Sequence, residues 1–423
     1  MFLEIKGIGK IQDSTIEMNG ITVIAGLNGT GKSTYGKVLY CMFNAFSNKK
    51  EAIRNARIDR IYRIIFQSID ECDSDMASNL SKKIINEIEN INNELSTKND
   101  IQKIIINALS ERSLLMSKKD NVILNNFIDD VKHFIEISDN EIQKTIVNRY
   151  FKEEFDEIIN HVNKPQSTGH VLLNIQKKNI SITIENNECT KFSDKIGIRH
   201  NAIYIDTPFV MDELRIKGFI PFFMNSGHLT KHQENLRYRL RKEPSDKTII
   251  DEAIIKQKIK NILSNIHSVI KGEFKKDKGR LMFIEKGLKK PIPINNVSTG
   301  IKTFLIIKRL LELGEIKERD VLILDEPEIH LHPEWQLQFA ELLILLQKEF
   351  DLTILLTTHS PYFLNALEIY GNKHNIKEKK MNFYLAENNE DTSSIRNVKN
   401  NLEIIYKQLA MPFQKLENVA YED

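Results

Sequence analysis

The chain has 423 residues, 41% of them hydrophobic and 28% charged, which suits two or three packed lobes and excludes a disordered or fibrous chain. Its 60 basic and 58 acidic side chains leave a formal net charge of +2, a balance that neither marks a nucleic-acid binder nor excludes one with an offset basic face. No apolar run approaches the roughly 18 residues that span a bilayer, Met1–Lys6 is too charged for a secretory segment, and Cys41, Cys72 and Cys189 are scattered without metal-type spacing. The expectation is a reduced, soluble, cytoplasmic protein that does not engage a membrane.

Residues 1–25 alternate as strands do, through Phe2, Leu3, Ile5 and Ile8 and then Ile11, Ile16 and Met18, with Asn19-Gly20 expected as a hairpin turn. Ile21–Ala25 is almost wholly apolar, as for a strand buried on both faces. It runs into Gly26-Leu27-Asn28-Gly29-Thr30-Gly31-Lys32-Ser33, after which the periodicity turns helical. Glycine is then absent from Gly36 to Gly169, and no proline precedes Pro165. In that stretch Ile84, Ile88, Ile91 and Leu95 form one helical stripe. Ile101, Ile104, Ile105 and Leu109 form another, and Phe127, Ile128, Val131, Phe134 and Ile135 a third. The stripes are too broken for a coiled-coil arm, so a packed helical lobe is expected.

Strand texture returns at Val171–Ile175, Ile180–Ile184 and Ala202–Asp206. A polar, basic stretch follows, with His228, Lys231, His232, Arg237, Arg239, Arg241 and Lys242, and then a helix expected from Asp246 to about Ile270, capped by Ser245 or Asp246. Leu281–Ile284 reads as a strand. The resulting organisation is 1–49 as the first half of one domain, 50–165 as a helical insert, 166–279 as a connecting region carrying the basic segment, and 280–423 as the second half of that domain with a C-terminal tail.

Gly-x-x-x-x-Gly-Lys-Ser between an apolar strand and a helix is a phosphate loop. Its glycines turn backbone N–H groups inward around phosphate, and the helix N-terminus adds a positive dipole end. Asn28, Gly29, Thr30, Gly31, Lys32, Ser33 and Thr34 are the candidate ATP contacts, with Lys32 reaching the β- and γ-phosphates and Ser33 ligating Mg²⁺. Val321–Leu324 is a second buried strand and ends in Asp325 and Glu326. Asp325 is the second candidate Mg²⁺ ligand, and Glu326 the candidate general base for the attacking water. A third apolar strand, Ile354–Thr358, ends in His359, the candidate γ-phosphate sensor. Ser298, Thr299 and Gly300 open an apolar helix, where Ser298 serves either as a helix cap or as part of an anion site.

The order of these motifs resembles the ABC-type ATPases in their SMC-like branch: an α/β fold with a mixed sheet, flanking helices and, here, an inserted helical lobe. The resemblance implies a homodimer or higher homo-oligomer in which Ser298 and Gly300 of one copy cover nucleotide held by the other. Thr299 stands where many members have glycine, and no residue marks the family's Q-loop unambiguously, Gln67 being one candidate. Glu328-Ile329-His330-Leu331-His332-Pro333 is similar to the D-loop of overcoming-lysogenization-defect ATPases, which favours a D-loop over a metal pair for His330 and His332. The stretch after Ser360 holds no Asp-x-Asp pair, so no nuclease centre is expected. The chain looks like the stand-alone ATPase subunits of Septu-type anti-phage modules, implying a regulatory or sensor role beside a separately encoded nuclease effector. A DNA-repair or DNA-clamping ATPase is the alternative. An importer's ATPase subunit is disfavoured by the long insert.

Overall fold

The computed structural model describes residues 1–68, 74–90, 103–108, 120–214, 229–242, 259–260, 262, 264, 266, 270–277, 280–287, 289–389 and 391–420. Two compact units divide the chain: residues 1–44 with 148–423, and residues 45–147.

The larger unit is organised by one sheet of eleven strands. In chain order these are β1 (Phe2–Ile8), β2 (Ile11–Glu17), β3 (Ile21–Gly26), β4 (Gly169–Ile175), β5 (Lys178–Glu185), β6 (Glu188–Asp194), β7 (Ala202–Ile205), β11 (Val321–Asp325), β12 (Thr353–Thr358), β13 (Met381–Asn389) and β14 (Thr392–Asn397). A separate three-stranded sheet holds β8 (Gly272–Asp277), β9 (Arg280–Glu285) and β10 (Ile292–Pro293). The spatial order of the large sheet is β6-β5-β4-β1-β2-β14-β13-β3-β12-β11-β7. Its section β13-β3-β12-β11-β7 is wholly parallel, and β6-β5-β4-β1-β2 is an antiparallel wing. The parallel strands read as continuous apolar runs because both faces are covered. All six residues of β3 are buried, as are the first four of β11.

Among the described residues the longer helices are α1 (Lys32–Phe46), α2 (Lys49–Ser68), α3 (Ser74–Asn90), α4 (Asp120–Ile135), α5 (Asp139–Phe155), α6 (Lys231–Arg241), α7 (Thr299–Glu312), α8 (Pro333–Phe350), α9 (Pro361–Lys373) and, after a single helical turn at Lys377–Lys380, α10 (Glu403–Ala420). Phe304, Leu305, Ile307 and Leu310 of α7 and Phe339, Leu343 and Leu346 of α8 are buried in one core with Val23, Leu322 and Leu356 of the parallel strands. Each such side chain contributes about 1.5–3 kcal/mol by leaving water. Proline at the first helical position, after His332 in α8 and after Ser360 in α9, fixes where each helix starts.

Three expectations change. The turn from β1 to β2 lies at Gly9-Lys10, and Asn19-Gly20 is not a hairpin, because β2 and β3 are not neighbours. β13 and β14, from the far end of the chain, lie between them. Gly20, at φ +75°, passes so close to the Lys380 carbonyl that a Cβ would collide with it. Residues 381–397, expected as tail, therefore supply interior strands. Likewise β4–β6 of the expected connecting region extend the main sheet from β1.

The smaller unit runs from Ala45 to Val147 rather than from 50 to 165, and its end falls inside α5. The glycine- and proline-free composition reports helix, and α5 continues as helix after the packing unit has changed. Ile61, Ile65, Leu80, Ile84, Ile105, Phe127, Ile128 and Val131 form its core, which places the described parts of all three stripes inside. Ile91, Leu95, Ile101 and Leu109 of those stripes lie outside the described residues, as do Cys72, His228 and the start of the helix expected from Asp246. Ile259, Ile262 and Ile266 of that last segment are buried in the main core. Gln67 sits in the last turn of α2, in the smaller unit, and not at a strand end.

Candidate functional site

The parallel strands bring their C-terminal ends to one edge. Thr358 pairs with Ala25, Asp325 with Thr357 and Leu324 with Ile205. The segments that follow β3, β12, β11 and β7 thus emerge side by side, although they lie far apart in sequence.

After β3 the chain turns through Gly29 and Gly31, both at φ +77°, a conformation side chains disfavour. A Cβ on Gly31 would lie 2.9 Å from Ser393 Oγ of β14, whereas one on Gly29 would meet nothing within 4 Å. The loop is therefore tight on its inner side and open above Gly29. Thr30 Oγ1 donates to the Leu27 carbonyl at 2.8 Å. Lys32 is buried, and its ammonium donates to the carbonyls of Gly26 at 3.0 Å and Leu27 at 2.9 Å. Asn28 and Ser33 are exposed, Ser33 in the first turn of α1, and the N–H of Thr34 donates to the Gly31 carbonyl at 3.1 Å.

At the end of β11, Asp325 accepts from Thr357 Oγ1 on one oxygen and from the Tyr204 hydroxyl at 3.2 Å on the other. Burial, and then the charges of Asp325 and Asp206, raise the Tyr204 phenol well above its ordinary range, so it remains a donor. Glu326 stands at φ +47°, outside the usual regions for a side-chain-bearing residue. Its N–H is held by the Thr357 carbonyl at 3.2 Å and by Thr357 Oγ1 at 3.0 Å. This turn delivers the carboxylate to Lys32, whose Nζ lies 3.2 Å from Glu326 Oε1. His359 Nδ1 lies 3.2 Å from Oε2 without the alignment of a hydrogen bond. Three residues assigned catalytic roles from sequence, Lys32, Glu326 and His359, thus converge.

Their support was not legible as motif. Glu328 is buried and accepts from Thr358 Oγ1 and from the His359 N–H at 3.2 Å. Burial pushes its carboxyl above the ordinary range, against the pull of these bonds. Ser360 Oγ bonds the Gln336 side-chain carbonyl at 2.9 Å and caps α9 through the Phe363 N–H at 3.2 Å. Glu328 opens the Glu328–Pro333 stretch singled out from sequence, but nothing there tied it to Thr358 or His359, and the only sequence signal for Thr357 and Thr358 was polarity at the end of an apolar strand.

Ser298 and Thr299 open α7. Ser298 is exposed, its hydroxyl makes no capping bond, and its carbonyl accepts from the Lys302 N–H at 3.1 Å. Gly300 is required by packing: a Cβ would lie 2.7 Å from the His330 carbonyl and 3.2 Å from the Trp335 ring. The turn that opens α7 and the Glu328–Pro333 loop are thereby in close contact. Lys302 is buried and donates to Asp212 Oδ1 at 2.6 Å.

The residues fit magnesium and a nucleotide phosphate chain. An open glycine loop at a helix N-terminus and a buried ammonium suit phosphate. The exposed hydroxyl of Ser33 and the carboxylate of Asp325 are the hard oxygen donors that Mg²⁺ takes alongside phosphate oxygens.

The family model of the AAA ATPase domain matches residues 1–364. The chain belongs to that family. It is a P-loop ATPase, and the matched span includes the glycine loop, Asp325, Glu326 and His359. A 95-residue stretch is 34% identical to an uncharacterized protein of Methanocaldococcus jannaschii, covering 22% of this ATPase and 11% of that protein. Among solved structures, an SMC head bound to the C-winged helix domain of ScpA aligns at a TM-score of 0.43 and 11% identity, over 95% of this chain and 98% of that one. The SMC head domain from Thermotoga maritima aligns at 0.38 and 12%, over 94% and 98%. The strand order and register above, rather than these alignments, define the mixed α/β fold of this ATPase. Among the described residues no helix is long and apolar enough to cross a membrane.

Proposed function

We propose that this ATPase is a nucleotide-closed switch of the SMC-like type. Lys32 and the loop N–H groups hold the phosphates, Ser33 and Asp325 hold Mg²⁺, Glu326 polarises the attacking water and His359 senses the γ-phosphate. To bind phosphate, Lys32 exchanges its contact with Glu326, which frees that carboxylate for water.

The observation that carries a two-copy arrangement is the apolar character of the site's rim. Leu27, Phe209, Ile329 and Tyr362 are exposed, and each follows the end of a different parallel strand. One large exposed hydrophobic or aromatic side chain in each segment that follows these strands suits a face covered by a second copy. Ser298, exposed beside the D-loop, is then available to nucleotide held by that copy. Light scattering of the Glu326→Gln protein tests this. A shift from monomer to dimer on adding ATP and Mg²⁺ supports the reading, and an unchanged mass at saturating nucleotide rejects it.

A regulatory or sensor role in a bacterial anti-phage complex with a separate nuclease effector rests on the similarity of Glu328–Pro333 to the D-loops named above. Co-purification with the products of neighbouring genes tests it, and a chain that remains alone with and without ATP counts against it. The DNA-clamping alternative loses one support. In the basic stretch Lys231 pairs with Glu153 at 2.7 Å, Arg239 and Lys242 pair with Glu315 at 3.0 and 2.8 Å, and His232 is buried. These charges are compensated within the protein instead of forming a phosphate-binding face.

A further inference from the structure

His232 is a buried cation behind the hydrolytic edge. Its Nδ1 lies 2.7 Å from Glu154 Oε1 and 2.9 Å from Thr230 Oγ1, and its Nε2 lies 3.1 Å from Asp206 Oδ2, so a carboxylate stands beside each ring nitrogen and favours the doubly protonated ring. Its own N–H donates to Glu154 Oε2 at 3.2 Å. The ring stacks on Tyr204, with centroids 4.1 Å apart and planes 22° apart. Glu154 and His232 have side chains 0% and 1% exposed.

Two groups that His232 touches, Tyr204 on β7 and Asp206 just beyond it, both bear on the nucleotide edge. The Tyr204 hydroxyl donates to Asp325 at 3.2 Å. Asp206 is the residue beyond β7, next in register to Asp325, and it lines a small cleft with Thr303, Asp325, Glu326 and His330. Gln233 Nε2 donates to Asp206 Oδ2 at 2.6 Å, while Asp206 Oδ1 is buried without a hydrogen-bond partner. A buried ion pair is weak evidence for stability, since well-packed apolar side chains of similar volume often serve as well. Its geometric product, two oriented groups on one strand, is what an apolar pair could not supply.

We propose that the Glu154–His232 pair is a positioning clamp that acts through Tyr204 and Asp206 to aim the Asp325 carboxylate and to set the polarity of the magnesium side of the site. It rests on the reading of Asp325 as the magnesium-side carboxylate. Tyr204 holds one Asp325 oxygen and Thr357 the other, which fixes the plane of the carboxylate.

Titration of a fluorescent non-hydrolysable ATP analogue, with MgCl₂ or with EDTA, tests the clamp in His232→Gln and Tyr204→Phe. Both variants are expected to bind nucleotide in EDTA as wild type does, and to need about 10-fold to 100-fold more Mg²⁺ for the magnesium-dependent gain in affinity. kcat should fall with them while KM at saturating Mg²⁺ changes little. Tyr204→Phe keeps the stack and removes only the hydroxyl, so it decides the matter if His232→Gln does not fold. A wild-type Mg²⁺ requirement in Tyr204→Phe, or in a folded His232→Gln, overturns the clamp. Failure of the site reading itself shows separately, as undiminished nucleotide binding in Lys32→Ala.

Discussion

Lys32 Nζ and Glu326 Oε1 stand 3.2 Å apart, one from the first residue of α1 and the other from the turn after β11. The pairing places the general-base candidate where its charge is already balanced, and it links phosphate binding to the release of that carboxylate. Removing either partner should have distinct effects. Lys32→Ala is expected to weaken ATP binding strongly. Glu326→Gln should retain binding and lower turnover by about 10²–10⁴-fold. Equilibrium binding and steady-state phosphate release check the pair, and wild-type turnover in Glu326→Gln removes the general-base role.

Gly300→Ala probes the contact between the turn that opens α7 and the Glu328–Pro333 loop. The added carbon would lie 2.7 Å from the His330 carbonyl, and backbone cannot yield as a flexible side chain does. A cost of about 1–3 kcal/mol is expected for this overpacking. Denaturant unfolding should show the loss, with nucleotide affinity of the isolated chain preserved and turnover reduced. Unchanged stability would mean that the D-loop backbone moves freely away from α7.

Thr357→Val keeps shape and removes one hydroxyl. That hydroxyl donates to Asp325 and accepts from the Glu326 N–H at 3.0 Å. The Glu326 N–H keeps the Thr357 carbonyl at 3.2 Å, but Asp325 loses a donor. A cost of about 1–3 kcal/mol is expected, together with a lower kcat, because the φ +47° turn at Glu326 loses part of its hold. Thermal melting and turnover at saturating Mg²⁺ measure the two effects, and a variant equal to wild type in both contradicts the role.

Stability should fall on the alkaline side through His232. Burial, which lowers its pKa, is outweighed by Asp206 and Glu154, and the ring is raised from 6.5 to about 9. Tyr204 stacks on it and Tyr40 approaches edge-on at 5.9 Å. A group raised in the folded state stabilises fully below its unfolded pKa and loses that contribution as pH rises through the folded value. The contribution, on the order of 3 kcal/mol, is therefore complete below about pH 6.5 and disappears as pH passes about 9. Melting temperature against pH should slope downward across this window in wild type and flatten in His232→Gln. Parallel curves for the two proteins would show that the ring is not a buried cation.

Which side chains stand at each strand end was determined by sequence alone. A phosphate loop, an acidic pair after four apolar residues and a histidine after another apolar strand are local patterns, because each needs only a buried strand and the turn that follows it. The tertiary structure decided which ends are neighbours and what stands behind them. Ser393 over Gly31, β13 and β14 between β2 and β3, Tyr204 on Asp325 and Glu154 on His232 all join residues remote in the chain. The stretch from Lys231 to Lys242 shows the difference most plainly. Read along the chain it is a run of positive charge, and only folding brings Glu153, Glu154, Asp206 and Glu315 to it. Burial makes unpaired charge costly, so a charge's role depends on partners that local sequence does not contain.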